Sequence, residues 1–201
     1  MPDLGTRLQA VALCAASEPS APPATALPRV VCNTRPGIDW NTCGQAAVAT
    51  LLAHARLGPF APGRDVTDGE AIDWVHREFP ADLPLGLGTS GMRLAQALRA
   101  YGLGVERVHS GWFGRGTAAA AHRLAAHVRE GHPVPVCIDA GMLGGARGSA
   151  HWAIVVAVEN ARVRLGNAGP TDSLALDRFL ALWRCPLLPY GHNHAAILAW
   201  T

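Results

Sequence analysis

The chain has 201 residues, 49% of them hydrophobic and 16% charged, enough to bury a core without metal or disulfide support. Its formal charge is +2, its arginines are scattered and lysine is absent, so no basic groove for nucleic acid is marked. No run approaches the ~18 apolar residues of a membrane span. Residues 7–16 form a weak apolar run, but Asp3 and Gln9 suit a signal peptide poorly. That run reads as a short helix or frayed tail, and the location leans cytoplasmic. Residues 17–28 are a Pro/Ala/Ser linker, so the expected organisation is a weakly structured tail over 1–28 and one domain over 29–201.

The first domain helix is predicted from Cys43 to about Arg56, with Ala47, Val48, Leu51, Leu52 and Ala55 at helical spacing. Thr42-x-x-Gln45 has the form of a capping box, with Thr42 as N-cap. Thr67-x-x-Glu70 is a second such box, opening a helix through Ile72, Trp74, Val75 and Phe79. A third helix follows Ser90, with Met92, Ala95, Leu98 and Tyr101 as its apolar face and Gly102 as its stop. Val105–Val108 reads as a short strand, and Thr117–Glu130 as a fourth helix ended by Gly131. Strands are predicted over Val134–Ile138, His151–Val158, Arg162–Leu165 and His194–Trp200, with residues 173–183 helical. Helices first and an antiparallel sheet after make an α+β domain.

The five cysteines, Cys14, Cys32, Cys43, Cys137 and Cys185, are odd in number, widely spaced and without a Cys-x-x-Cys. That argues against a disulfide framework and a cysteine zinc site. His192 and His194 bracket Asn193 with no acidic or cysteine partner nearby, so they read as loop histidines and no metal or cofactor is expected. His54 and His76 fall on helix surfaces. Cys137 and Cys185 read as buried bystanders.

Cys43 is different, because a thiol at a helix start meets amide groups and a dipole that favour its thiolate. His151 opens the most apolar strand, where a polar residue needs a partner. With a three-residue hairpin loop, Glu159-Asn160-Ala161, Asn167 falls opposite Ala153 and on the face of His151. A two-residue loop puts it on the wrong face. The set then reads as Cys43 nucleophile, His151 base and Asn167 orienter, the asparagine side-chain carbonyl accepting the second ring N–H.

Five segments together resemble papain-like cysteine peptidases, closest to the branch of bacteriocin-processing, double-glycine leader peptidases. They are Thr42-Cys43-Gly44-Gln45-Ala46-Ala47, Thr89-Ser90-Gly91 through Tyr101-Gly102-Leu103, Glu130 to Val136, His151 to Val156, and Phe179-Leu180-x-x-Trp183. The resemblance implies a papain-like fold and a cysteine-dependent hydrolase of peptide or amide bonds, with Cys43, His151 and Asn167 in the catalytic places. The implied partner is a peptide or protein substrate. Asn167 stands where that branch has Asp, and Gly37 where the family sets an oxyanion glutamine. Asn41 and Asn33 are near in sequence as substitute donors; Trp40 and Trp152 flank the catalytic segments as core residues or cleft walls. Gln45 reads as the brace of the helix start. The same fold also admits an acyltransferase, transamidase or deamidase, or a non-catalytic peptide-binding domain.

Overall fold

The computed structural model describes residues 28–33, 41–83, 88–110, 116–143, 150–168, 173–185 and 194–201. Trp40, Gly37, His192 and nearly all of the tail over 1–28 lie outside them. The elements are α1 (Cys43–Ala55), α2 (Asp68–Glu78), α3 (Gly91–Ala100), β1 (Gly104–Val108), α4 (Thr117–Arg129), β2 (Val134–Asp139), β3 (Ala150–Glu159), β4 (Arg162–Gly166), β5 (Ser173–Ala175), α5 (Leu176–Trp183) and β6 (Ala196–Trp200). The six strands form one antiparallel sheet in the order β1-β6-β2-β3-β4-β5.

The sheet separates two apolar layers. Trp152, Ile154, Ile197 and Ala199 meet α1, α2 and α3 through Leu52, Ile72, Leu94 and Leu98. Ala153, Val155, Val136 and Leu198 meet α4 and α5 through Leu124, Phe179, Leu182 and Trp183. β3 is therefore covered on both faces, which is why its sequence is a continuous apolar run rather than an alternating one. Residues 173–175 are a strand at the sheet edge, not the start of the helix, because β4 continues the sheet to them through Arg162↔Ala175 and Arg164↔Ser173.

Local signals set most helix ends. Thr67 and Glu70 exchange both bonds of the capping box, Thr67 N–H to Glu70 Oε2 at 2.8 Å and Glu70 N–H to Thr67 Oγ1 at 3.3 Å. Ser90 caps α3 through Arg93 N–H at 3.1 Å and is itself held by Asp82. The start of α1 differs from expectation. Thr42 precedes the helix but makes no side-chain cap. Gln45 is 1% exposed and turned inward: its amide donates to the Phe79 carbonyl at 3.1 Å and accepts from Thr89 Oγ1 at 3.2 Å. It joins α1 to the segments around α2 and α3, where burying an amide demands partners on both ends. Met92 is 65% exposed, so the buried face of α3 is Leu94, Ala95, Ala97 and Leu98.

Candidate active site

α1 begins at Cys43, and its first turn fits closely under Thr89. A β-carbon at Gly44 would lie 2.5 Å from Thr89 Cβ, so glycine is the residue that lets the helix start approach. Thr89 in turn accepts the Trp152 indole N–H on its carbonyl at 2.8 Å. Trp152 is 5% exposed and packed against Gly91, which makes its ring core rather than cleft wall. Its backbone does reach the site, since the Trp152 main chain hydrogen-bonds Cys43.

His151 sits one residue earlier on β3 and hydrogen-bonds the Cys43 thiol. Burial by itself pushes that thiol up. The His151 hydrogen bond and charge, with the main chain of Trp152 and Gly44, outweigh it and leave Cys43 below the ordinary thiol value. Burial likewise pushes His151 down, and the hydrogen bond and charge of Cys43 with the Asn167 carbonyl hold it above the ordinary histidine value. Both shifts run in the direction of a thiolate–imidazolium pair.

Asn167 reaches the histidine by a different atom from the one expected. His151 Nε2 is bonded to the main-chain carbonyl of Asn167. The side chain faces away: Oδ1 accepts from Asn33 N–H at 3.0 Å and Nδ2 donates to the Trp152 carbonyl at 3.2 Å. Asn167 has φ 54°, a left-handed conformation that asparagine tolerates better than most residues. The two side-chain bonds pin that conformation, and the conformation aims the carbonyl.

The hairpin that carries Asn167 also forms differently. Its loop is the two-residue pair Asn160-Ala161, both at positive φ (49° and 57°), between Glu159 and Arg162. A bulge then inserts Val156 between Val155↔Leu165 and Ala157↔Arg164. The shorter loop and the extra residue offset each other. Ile154 pairs with Gly166, so one step beyond the ladder Asn167 falls opposite Ala153, as the three-residue loop would have placed it.

Asn41 lies in the turn just before Cys43 and is half-buried. The Gln45 amide is spent on Phe79 and Thr89. Asn33 joins the site as the partner of Asn167, and no sequence motif marks it, because the contact uses its backbone N–H. His194 is buried rather than a loop surface residue, with Nδ1 2.8 Å from Ser110 Oγ. His54 is exposed on α1, as expected, with Nε2 3.3 Å from His132 Nδ1. Among the described residues, no cluster of three or more His, Cys, Asp or Glu is arranged to hold a metal ion, and no helix is long and apolar enough to cross a membrane.

No family model matches the sequence, and no curated protein matches it. Solved structures do. The peptidase domain of Streptococcus ComA, a bi-functional ABC transporter involved in quorum sensing, superposes with a TM-score of 0.52 at 16% identity, over 82% of this chain and 94% of that one. A putative C39-like peptidase from Bacillus anthracis superposes with a TM-score of 0.56 at 13% identity, over 81% of this chain and 90% of that one. Helices around an antiparallel sheet, aligned over most of both chains, give this protein the fold of the C39 bacteriocin-processing peptidase domains.

Proposed function

We propose that the protein is a thiol-dependent hydrolase of peptide or amide bonds, with Cys43 as nucleophile, His151 as general base and acid, and Asn167 as the group that positions His151. The observation that carries the reading is the placement of His151, on β3, against the Cys43 thiol at the start of a buried helix. The thiolate attacks the acyl carbon, and the imidazolium gives its proton to the leaving amine. Water, deprotonated by the then-neutral His151, hydrolyses the thioester and restores the pair. The Cys43 N–H at the first turn of α1 supplies one oxyanion donor, and Asn41, two residues upstream, is the candidate for a second. The substrate expected of this fold is a peptide or protein.

The test has two arms. Iodoacetamide should alkylate Cys43 faster than any other cysteine near pH 7, and the wild-type chain should cleave members of a mixed peptide library that Cys43→Ala leaves intact. Equal alkylation of Cys43 and Cys137 would sink the activated thiol. Cleavage surviving in Cys43→Ala would remove it from the chemistry.

A further inference from the structure

The bystander cysteines are not isolated. The Cys137 and Cys185 side chains are neighbours, close enough for each thiol to act on the other. Cys137 lies on β2 opposite Trp152 of β3, is half-buried, and packs against the same apolar layer as Cys43. Cys185 follows the end of α5 by two residues and is 3% exposed. The backbone around both is fixed by bonds that do not involve sulfur. Cys137 N–H donates to the Ala195 carbonyl at 3.0 Å, and that carbonyl also accepts the Trp183 indole N–H at 2.8 Å. The Trp183 carbonyl in turn accepts from Cys185 N–H at 2.9 Å and His194 N–H at 3.1 Å.

We propose that Cys137 and Cys185 are a redox pair that closes to an intramolecular disulfide against a low-molecular-weight disulfide such as oxidised glutathione, stapling β2 to the segment after α5. The Cys137 thiolate attacks one glutathione sulfur and expels the other glutathione as thiolate, leaving a mixed disulfide on Cys137. The Cys185 thiolate then attacks the Cys137 sulfur and expels the second glutathione. The protein loses two electrons and two thiol protons, and one oxidised glutathione becomes two reduced ones.

The chemistry of the reduced pair favours a durable bond. The hydrogen bond to Cys185 and burial, together with the nearby charges of Cys185 and Cys43, hold the Cys137 thiol well above its ordinary value. A thiol that gains nothing from ionising favours a disulfide that resists reduction, the reverse of oxidants whose reduced thiolate is stabilised. Closure is correspondingly slow at neutral pH and faster as pH rises. Cys43 has the opposite character, so the same oxidant meets one reactive thiol and one reluctant thiol side by side. The inference stands whether or not Cys43 is a catalytic nucleophile.

The experiment exposes the full chain to graded ratios of oxidised to reduced glutathione at pH 8, then maps peptides without reduction and records Tm. The expected result is a peptide pair linking Cys137 to Cys185 with the mass of two hydrogens lost. The wild-type Tm should rise by about 5 °C or more, reversibly with dithiothreitol, because the closed loop is on the order of 50 residues. Cys185→Ser should instead hold glutathione on Cys137 and gain no Tm. Repeating the titration in Cys43→Ala removes the competing reactive thiol and should leave the link unchanged. A bond from Cys137 to Cys43 would overturn the pairing. So would two reduced thiols at a ratio that oxidises the urea-unfolded chain.

Discussion

If the Asn167 backbone, rather than its side chain, holds His151, substitutions at 167 should rank by backbone tolerance. Asn167→Ala removes bonds to Asn33 N–H and the Trp152 carbonyl, at 3.0 and 3.2 Å. Each contributes about 1 kcal/mol net. It also leaves a β-carbon residue at φ 54°, which costs about 1 kcal/mol more. The total, about 3 kcal/mol, works against the conformation that aims the carbonyl and corresponds to as much as ~10²-fold in a property that needs it. Asn167→Gly loses the same bonds but adopts positive φ without steric cost. Glycine should therefore outperform alanine by about fivefold. The assay is the second-order alkylation rate of Cys43 at pH 6.5, read on its peptide by mass spectrometry, with a thermal melt to verify folding. Equal losses in folded Gly and Ala variants would refute the main-chain role, because they would mean that the amide itself orients the ring.

The alkylation rate of Cys43 should rise through a pH below the ordinary thiol range and change again as His151 deprotonates above the ordinary histidine range. His151→Gln should remove the lower step and slow alkylation at pH 7 at least tenfold, since burial then acts on the thiol without an opposing charge. Gly44→Ala should destabilise the fold by about 2 kcal/mol, and so lower Tm by about 4–8 °C, because the new methyl meets Thr89 at 2.5 Å. His194 is pushed down to about 4 from 6.5, first by burial and then by the Arg184 charge. Its neutral form is the one the fold holds, so the unfolded chain binds the extra proton. That contribution, about 3 kcal/mol, is complete above pH 6.5 and is lost as pH falls from 6.5 towards 4. Urea denaturation between pH 7 and 4.5 should show the loss, and His194→Gln should flatten it; an unchanged slope would count against the assignment.

Sequence alone singled out Cys43 and His151 as candidate nucleophile and base because both announce themselves locally. Cys43 stands at the head of a helical apolar pattern, and His151 at the mouth of an apolar strand. Thr67-x-x-Glu70 was equally legible, since a capping box closes within one turn and needs nothing distant. Thr42-x-x-Gln45 has the same form and a different outcome. There the helix start is buried under Phe79 and Thr89, and the amide found partners 34 and 44 residues away. The apolar face of α3 slipped for a related reason: its spacing allowed Met92 inside, and only the neighbouring helix and sheet decided which side was covered.

The third position of the site shows the division most clearly. Sequence placed Asn167 opposite Ala153 only by counting through a three-residue loop, and the loop that forms has two residues. It could not give the path, because a strand buried on both faces carries no alternation from which register or a bulge can be read. Tertiary structure decided the two-residue turn, the bulge at Val156 and the left-handed backbone at Asn167. It also decided that a carbonyl, common to every residue and invisible in any sequence, is what meets the histidine.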